Sequence, residues 1–175
     1  MDTVALLLTL RLALVTTVIL LLIAVPLAYW LAFTRSRWKT LVQAVCSLPI
    51  VLPPTVLGFY LLVGLGPRTA IGRGIAHLLG HPLAFSFAGL VVGSVLYSLP
   101  FAVQPLTAGF AAVDHSMLDA AATLGSGPLD RMLRVILPLA RGSLLTAGVL
   151  SFAHTVGEFG VVLMIGGNLP GATRT

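Results

Sequence analysis

The sequence predicts an all-α, polytopic membrane protein folded as a single domain over residues 1–175. Three observations carry that prediction. The chain is 58% hydrophobic and only 9% charged, with a mean hydropathy of +1.06, whereas a soluble domain carries about 25% charged residues. Its apolar runs are long enough for helices that cross a bilayer, which need about 20 residues each. Its positive charges gather in short segments between those runs, as they do on the cytoplasmic side of a membrane.

The first expected span covers residues 12–33 and ends in Tyr29, Trp30 and Phe33, aromatic residues suited to the membrane interface. Pro26 falls inside it and is expected to kink it, as spanning helices tolerate. Arg11 stands at its outer end, where a long basic side chain can snorkel. Thr34-Arg35-Ser36-Arg37-Trp38-Lys39 follows, the clearest cytoplasmic loop in the chain, and it places the N-terminus outside.

The second expected span, residues 41–65, contains Pro49, Pro53 and Pro54. Each proline removes a backbone donor and crowds the preceding turn. The segment reads either as a discontinuous helix beside a pathway or as a kinked packing helix. Pro53, Pro54 and Thr55 are therefore candidate pathway or gate residues. Residues 66–82, rich in Gly and Pro, form an external loop with a short helix around residues 73–79. His77 and His81 lie there without the further ligands a metal site needs. The third span, residues 83–106, carries Gly89, Gly93 and Ser94 as a small-residue face for close helix approach.

Residues 111–134 form a cytoplasmic loop. Ser116 followed by Asp119 reads as a helix start resembling a capping box. Gly125 suits a left-handed stop, and Pro128 opens a second helix carrying an Asp130–Arg134 pair. The fourth span, residues 135–165, is too long for one straight crossing and is expected to be inclined or broken. It holds His154-Thr155-Val156-Gly157-Glu158-Phe159-Gly160. An ionisable residue inside a membrane points to function, so Thr155, Gly157 and Glu158 are further gate candidates. As a gate residue Glu158 is expected to hydrogen-bond His154 or Thr155; the other reading is a structural carboxyl satisfied by a neighbouring backbone.

With this topology Arg35, Arg37, Lys39, Arg131, Arg134 and Arg141 fall inside, and Arg11, Arg68, Arg73 and Arg174 fall outside. The net charge of +5 is then a matter of topology, and no basic run interleaved with aromatics suggests nucleic acid. Cys46 is the single cysteine and reads as a packing residue. No catalytic residue, metal site or cofactor is expected. His154 and Glu158 are spaced for an acid–base pair, but no third polar group or nucleophile supports an enzyme.

Asp119, Ala120, Ala121, Gly125, Val135, Leu137 and Pro138 keep the register of a known motif. They resemble the EAA loop of ABC importer permeases, with Asp for Glu and Val for Ile. Pro49-Ile50-Val51-Leu52-Pro53-Pro54-Thr55-Val56-Leu57-Gly58 and Phe152 to Gly160, with Gly166-Gly167-Asn168-Leu169-Pro170-Gly171, look like segments of molybdate permeases. Sulfate permeases share the Gly-Glu-Phe-Gly core and the Asn-x-Pro-Gly turn.

The resemblance implies a type I (MetI-like) ABC importer permease in a bacterial inner membrane, passing molybdate and also tungstate. It implies a homodimer in lipid, two copies of an ATPase docked on the coupling loop, and a periplasmic molybdate-binding protein. It further implies one more span, so that the chain reads as C-terminally truncated. The sequence has no Gly-x-x-x-x-Gly-Lys-Ser/Thr phosphate loop, so ATP hydrolysis would fall to the partner. A sulfate or thiosulfate permease and a non-transporting membrane scaffold are the alternatives.

Overall fold

The structure, a computed structural model, describes residues 3–169 and Thr173; Pro170, Gly171 and Arg174, named above, lie outside the described residues. Among the described residues every regular element is helical.

α1 (Thr3–Phe33) begins well before residue 12 and runs unbroken through Pro26. One stripe of it is buried, at Leu12, Ala13, Thr16, Leu20, Ala24, Ala28 and Leu31. These positions recur every three or four residues, one face of a 3.6-residue helix. Leu7, Leu14, Val18 and Leu22 on the other faces are exposed. A helix that is apolar all round, with half of it uncovered, suits lipid rather than water.

α5 (Phe87–Ala111) lies against α1 along its length. The two run parallel: the Arg11 guanidinium sits 5.0 Å from the centre of the Phe87 ring, and Leu12 packs with Leu90. At the far end Leu31 and Phe110 share one cluster. α9 (Arg141–Gly157) completes a three-helix core with α1 and α5.

The second apolar segment is broken. α2 (Trp38–Val51) and α3 (Pro54–Gly64) are bent by 111° about Leu52 and Pro53, both extended. Pro53 and Pro54 supply no amide for the ladder, and Pro54 instead starts α3 as its first residue. α4 (Ala70–Leu79) occupies the next loop, capped by the Thr69 side chain on the Gly72 amide.

The fourth apolar segment breaks twice. After α6 (His115–Thr123), α7 (Pro128–Arg131) runs through a π-helical turn at Met132–Ile136 into α8 (Leu137–Leu139). Pro138 cannot donate to the preceding turn, and the Leu137 amide bonds the Met132 carbonyl five residues back. Residues 128–139 are bent by 78° from α9 at Ala140. The second break, at Glu158 and Phe159, leads into α10 (Gly160–Gly166). α1 and α5 are each long and apolar enough to cross a membrane, and the two bent pairs raise the number of such segments to four.

Candidate functional site

Two regions hold the residues singled out in the sequence. The first is α6 and its flanks. Its cap is Asp114, not Ser116: the Asp114 carboxylate accepts the Ser116 amide at 2.9 Å. The helix therefore starts two residues earlier than the Ser116–Asp119 spacing suggested, because Asp114 takes the extended conformation and reaches an orphan amide. That bond holds the Asp114 carboxyl below the usual carboxylate range.

The far end of α6 is closed by a Schellman motif. The Gly125 amide donates to Ala122, and the Ser126 amide donates to Ala121, both at 3.0 Å. Gly125 sits at φ +83, where a side chain is strained. Asp119, Ala120, Gly125 and Pro138 are exposed, and Ala121 and Leu137 are partly covered. Asp130 and Arg134 form the expected pair at 3.3 Å.

α6 is fixed to the body at two points. Leu118 is buried in the main core cluster, and the His115 ring meets the Phe33 ring edge-on at 6.1 Å. Together these make a short rigid helix with a small-residue outer face, anchored at the end where α1 and α5 finish.

The second region is where the two broken segments meet. α10 packs against α3 and α5. The small-residue face of α5 takes it: a Cβ on Gly93 would lie 2.5 Å from Ile165 Cδ1 and 3.0 Å from Val161 Cγ1. On the α3 side, Gly160 touches Pro54 and Gly58 touches Met164. The chain breaks at Pro53 and Glu158 are thus brought together by backbone-close packing.

Both Glu158 carboxylate oxygens are buried without a hydrogen bond of good geometry, as is the nearby Ser94 hydroxyl. Ser94 and the amides of Val161 and Val162 face the carboxylate. His154 and Thr155, the partners expected for Glu158, turn elsewhere. Ser98 Oγ lies 2.9 Å from His154 Nδ1 and 3.2 Å from Thr155 Oγ1, while the Thr155 hydroxyl donates to the Ser151 carbonyl at 2.8 Å. A hydroxyl has one hydrogen. Thr155 therefore accepts from Ser98, and His154 Nδ1 carries the hydrogen that Ser98 accepts. The His154 ring stacks on Phe101 at 3.9 Å.

The chain break explains this pairing: Glu158 has left the helical path of α9, whereas His154 and Thr155 still face α5. Thr55 and Gly157 are exposed. Ser98 and Asp114 were missed from sequence, and Ser94 was read only as part of a small-residue face. A serine pair at i,i+4 in an apolar span, and an acid two residues before a serine, were the available signals.

The fold and these two regions define an inner-membrane transport permease. The chain belongs to the family of binding-protein-dependent transport system inner membrane components, whose model matches residues 24–174. Such permeases are multi-pass membrane proteins that work with an ABC ATPase and a substrate-binding protein. The chain is 58% identical over 175 residues to the molybdenum transport system permease protein ModB of Azotobacter vinelandii, covering 99% of this chain and 77% of that one. Against ModB of Escherichia coli (strain K12) the identity is 38% over 137 residues, or 78% of this chain and 60% of the relative. Against ModB of Mycobacterium tuberculosis it is 39% over 173 residues, or 98% and 64%.

Proposed function

We propose that this chain is the membrane subunit of a bacterial ABC importer and forms the pathway for molybdate, with tungstate as a second substrate. The observation that carries the substrate is the 58% identity to a molybdenum permease over 99% of the chain. The chain itself performs no bond-breaking chemistry, and ATP is hydrolysed by the partner.

In this reading two copies of the permease enclose the pathway, the N-terminus is periplasmic, and a periplasmic molybdate-binding protein docks on the outer face. Two ATPase subunits dock on the exposed segment from Asp119 to Gly125, next to Leu137 and Pro138. Ala120 and Ala121 leave room for a close-fitting groove. Leu118 and the Phe33–His115 contact support the transmission of ATPase closure into the core. The breaks at Pro53–Pro54 and Gly157–Glu158 are the joints where helix halves move, with the exposed Thr55 as a hydroxyl contact along the path and the buried Thr155 holding α9 to α5 beside the second joint.

The test is ATP-driven uptake of labelled molybdate into vesicles holding the full-length permease, its ATPase and its binding protein, with excess sulfate as competitor. Uptake that survives sulfate is the expected result. Uptake abolished by sulfate moves the assignment to sulfate or thiosulfate, and no uptake of either overturns it.

A further inference from the structure

A cavity of about 400 Å³ opens between α1, α2 and α5, at the end of the molecule that carries α6. Its polar lining is Lys39, Gln43, Ser47, Gln104 and Thr107, and no acidic residue joins them. We infer that this cavity is a binding site for a tetrahedral oxyanion dianion, placed where the substrate leaves the permease.

The donors suit such a ligand. Lys39 offers an ammonium, and among the described residues it takes part in no ion pair. The Gln104 side-chain amide donates to Ser47 Oγ at 3.3 Å, tying α5 to α2 across the opening and leaving the Ser47 hydrogen free to donate. The Thr107 hydroxyl is buried with no protein partner, a group whose hydrogen-bonding capacity is available to a ligand. Cys46, Leu31 and Val103 form the apolar back wall and lower the local dielectric, which strengthens a charge-assisted bond from Lys39. One ammonium with neutral donors suits a release site, because a tighter cluster of cations would retain the anion.

This site rests on the oxyanion-import reading, and the experiment separates the two. The full permease–ATPase complex, without binding protein, is placed in nanodiscs of zwitterionic lipid and titrated with labelled molybdate, then with sulfate and phosphate. Saturable binding is expected, weakened at least about tenfold by Lys39→Met or Gln104→Leu, since each removes a donor to an anion. Lys39→Arg should largely restore it. ATPase activity and the thermal midpoint verify that each variant is folded.

Equal binding by the parent and Lys39→Met overturns the site. So does displacement of the anion by added phosphatidylglycerol, which would make Lys39 a lipid-headgroup contact. ATP-driven molybdate uptake on the same preparations reports on the import reading separately. Uptake without Lys39-dependent binding removes this site alone, and sulfate binding without molybdate uptake removes the molybdate assignment alone.

Discussion

Gly160 is pressed against Pro54: a Cβ on Gly160 would lie 2.6 Å from Pro54 Cβ and 3.3 Å from the Thr55 amide nitrogen. Two helix ends created by separate chain breaks therefore share one contact, and it has no room for a side chain.

Gly160→Val should force α10 away from α3. Overpacking of this kind costs about 1–3 kcal/mol, and a lower thermal midpoint with lost uptake is expected. Gly157→Ala, three residues away, meets nothing within 4 Å and should be tolerated. Equal effects of the two substitutions, in melting and uptake assays run together, would show that the close approach does not matter.

Glu158 carries two buried carboxylate oxygens without good hydrogen bonds. Glu158→Gln keeps the shape and removes an ionisable group from a buried position where a charge is expensive. The expected outcome is a thermal midpoint at or above that of the parent together with reduced molybdate uptake. Undiminished uptake by a stable Glu158→Gln complex would leave Glu158 a structural carboxyl.

Asp114 caps α6 through the Ser116 amide, and its carboxyl is held below the usual range. The sign follows from that direction. The stabilisation is fully present above the ordinary carboxylate range and is lost as pH falls through the lowered value. Amide hydrogen exchange at Ser116, corrected for its intrinsic pH dependence, should lose protection in acid. Asp114→Ala should remove that protection at neutral pH, and Asp114→Asn, itself a good cap, should retain most of it without the acid dependence.

Ala120 is exposed on α6, and Gly125 holds a left-handed turn with open space around it. Ala120→Arg adds bulk and charge to the proposed docking face, and Gly125→Asp adds charge beside it. Each should abolish copurification of the ATPase while the helical content of the permease stays unchanged. Normal copurification with both variants would refute docking at this segment.

Ser98 joins His154 and Thr155 across 56 and 57 residues of sequence. Ser98→Ala leaves both without a shared partner, at a cost of about 1–3 kcal/mol for buried polar groups. Thermal unfolding of the complex measures it, and an unchanged midpoint would mean that water replaces the hydroxyl.

Local chemistry made much of this protein legible in its sequence. Helix character followed from apolar runs, and the missing amides at Pro53 and Pro54 pointed to a break or a kink, between which the structure chose the break. The stop at Gly125 followed from the one residue type that accepts φ +83 freely. The loop register from Asp119 to Pro138 and the segment around Glu158 pointed to the permease family, to which the chain belongs. The cap fell to Asp114 because two acid–serine spacings competed, and only backbone geometry chose between them.

The tertiary structure decided which faces meet. Helices that are apolar on every side show no amphipathic stripe to tell core from lipid, so the sequence could not say that Gly160 touches Pro54. Nor could it say that His154 and Thr155 bond Ser98 rather than Glu158, or that Lys39 and Gln104 line one cavity. Those pairings depend on the rotation and bend of whole helices, which packing sets only once the chain has folded.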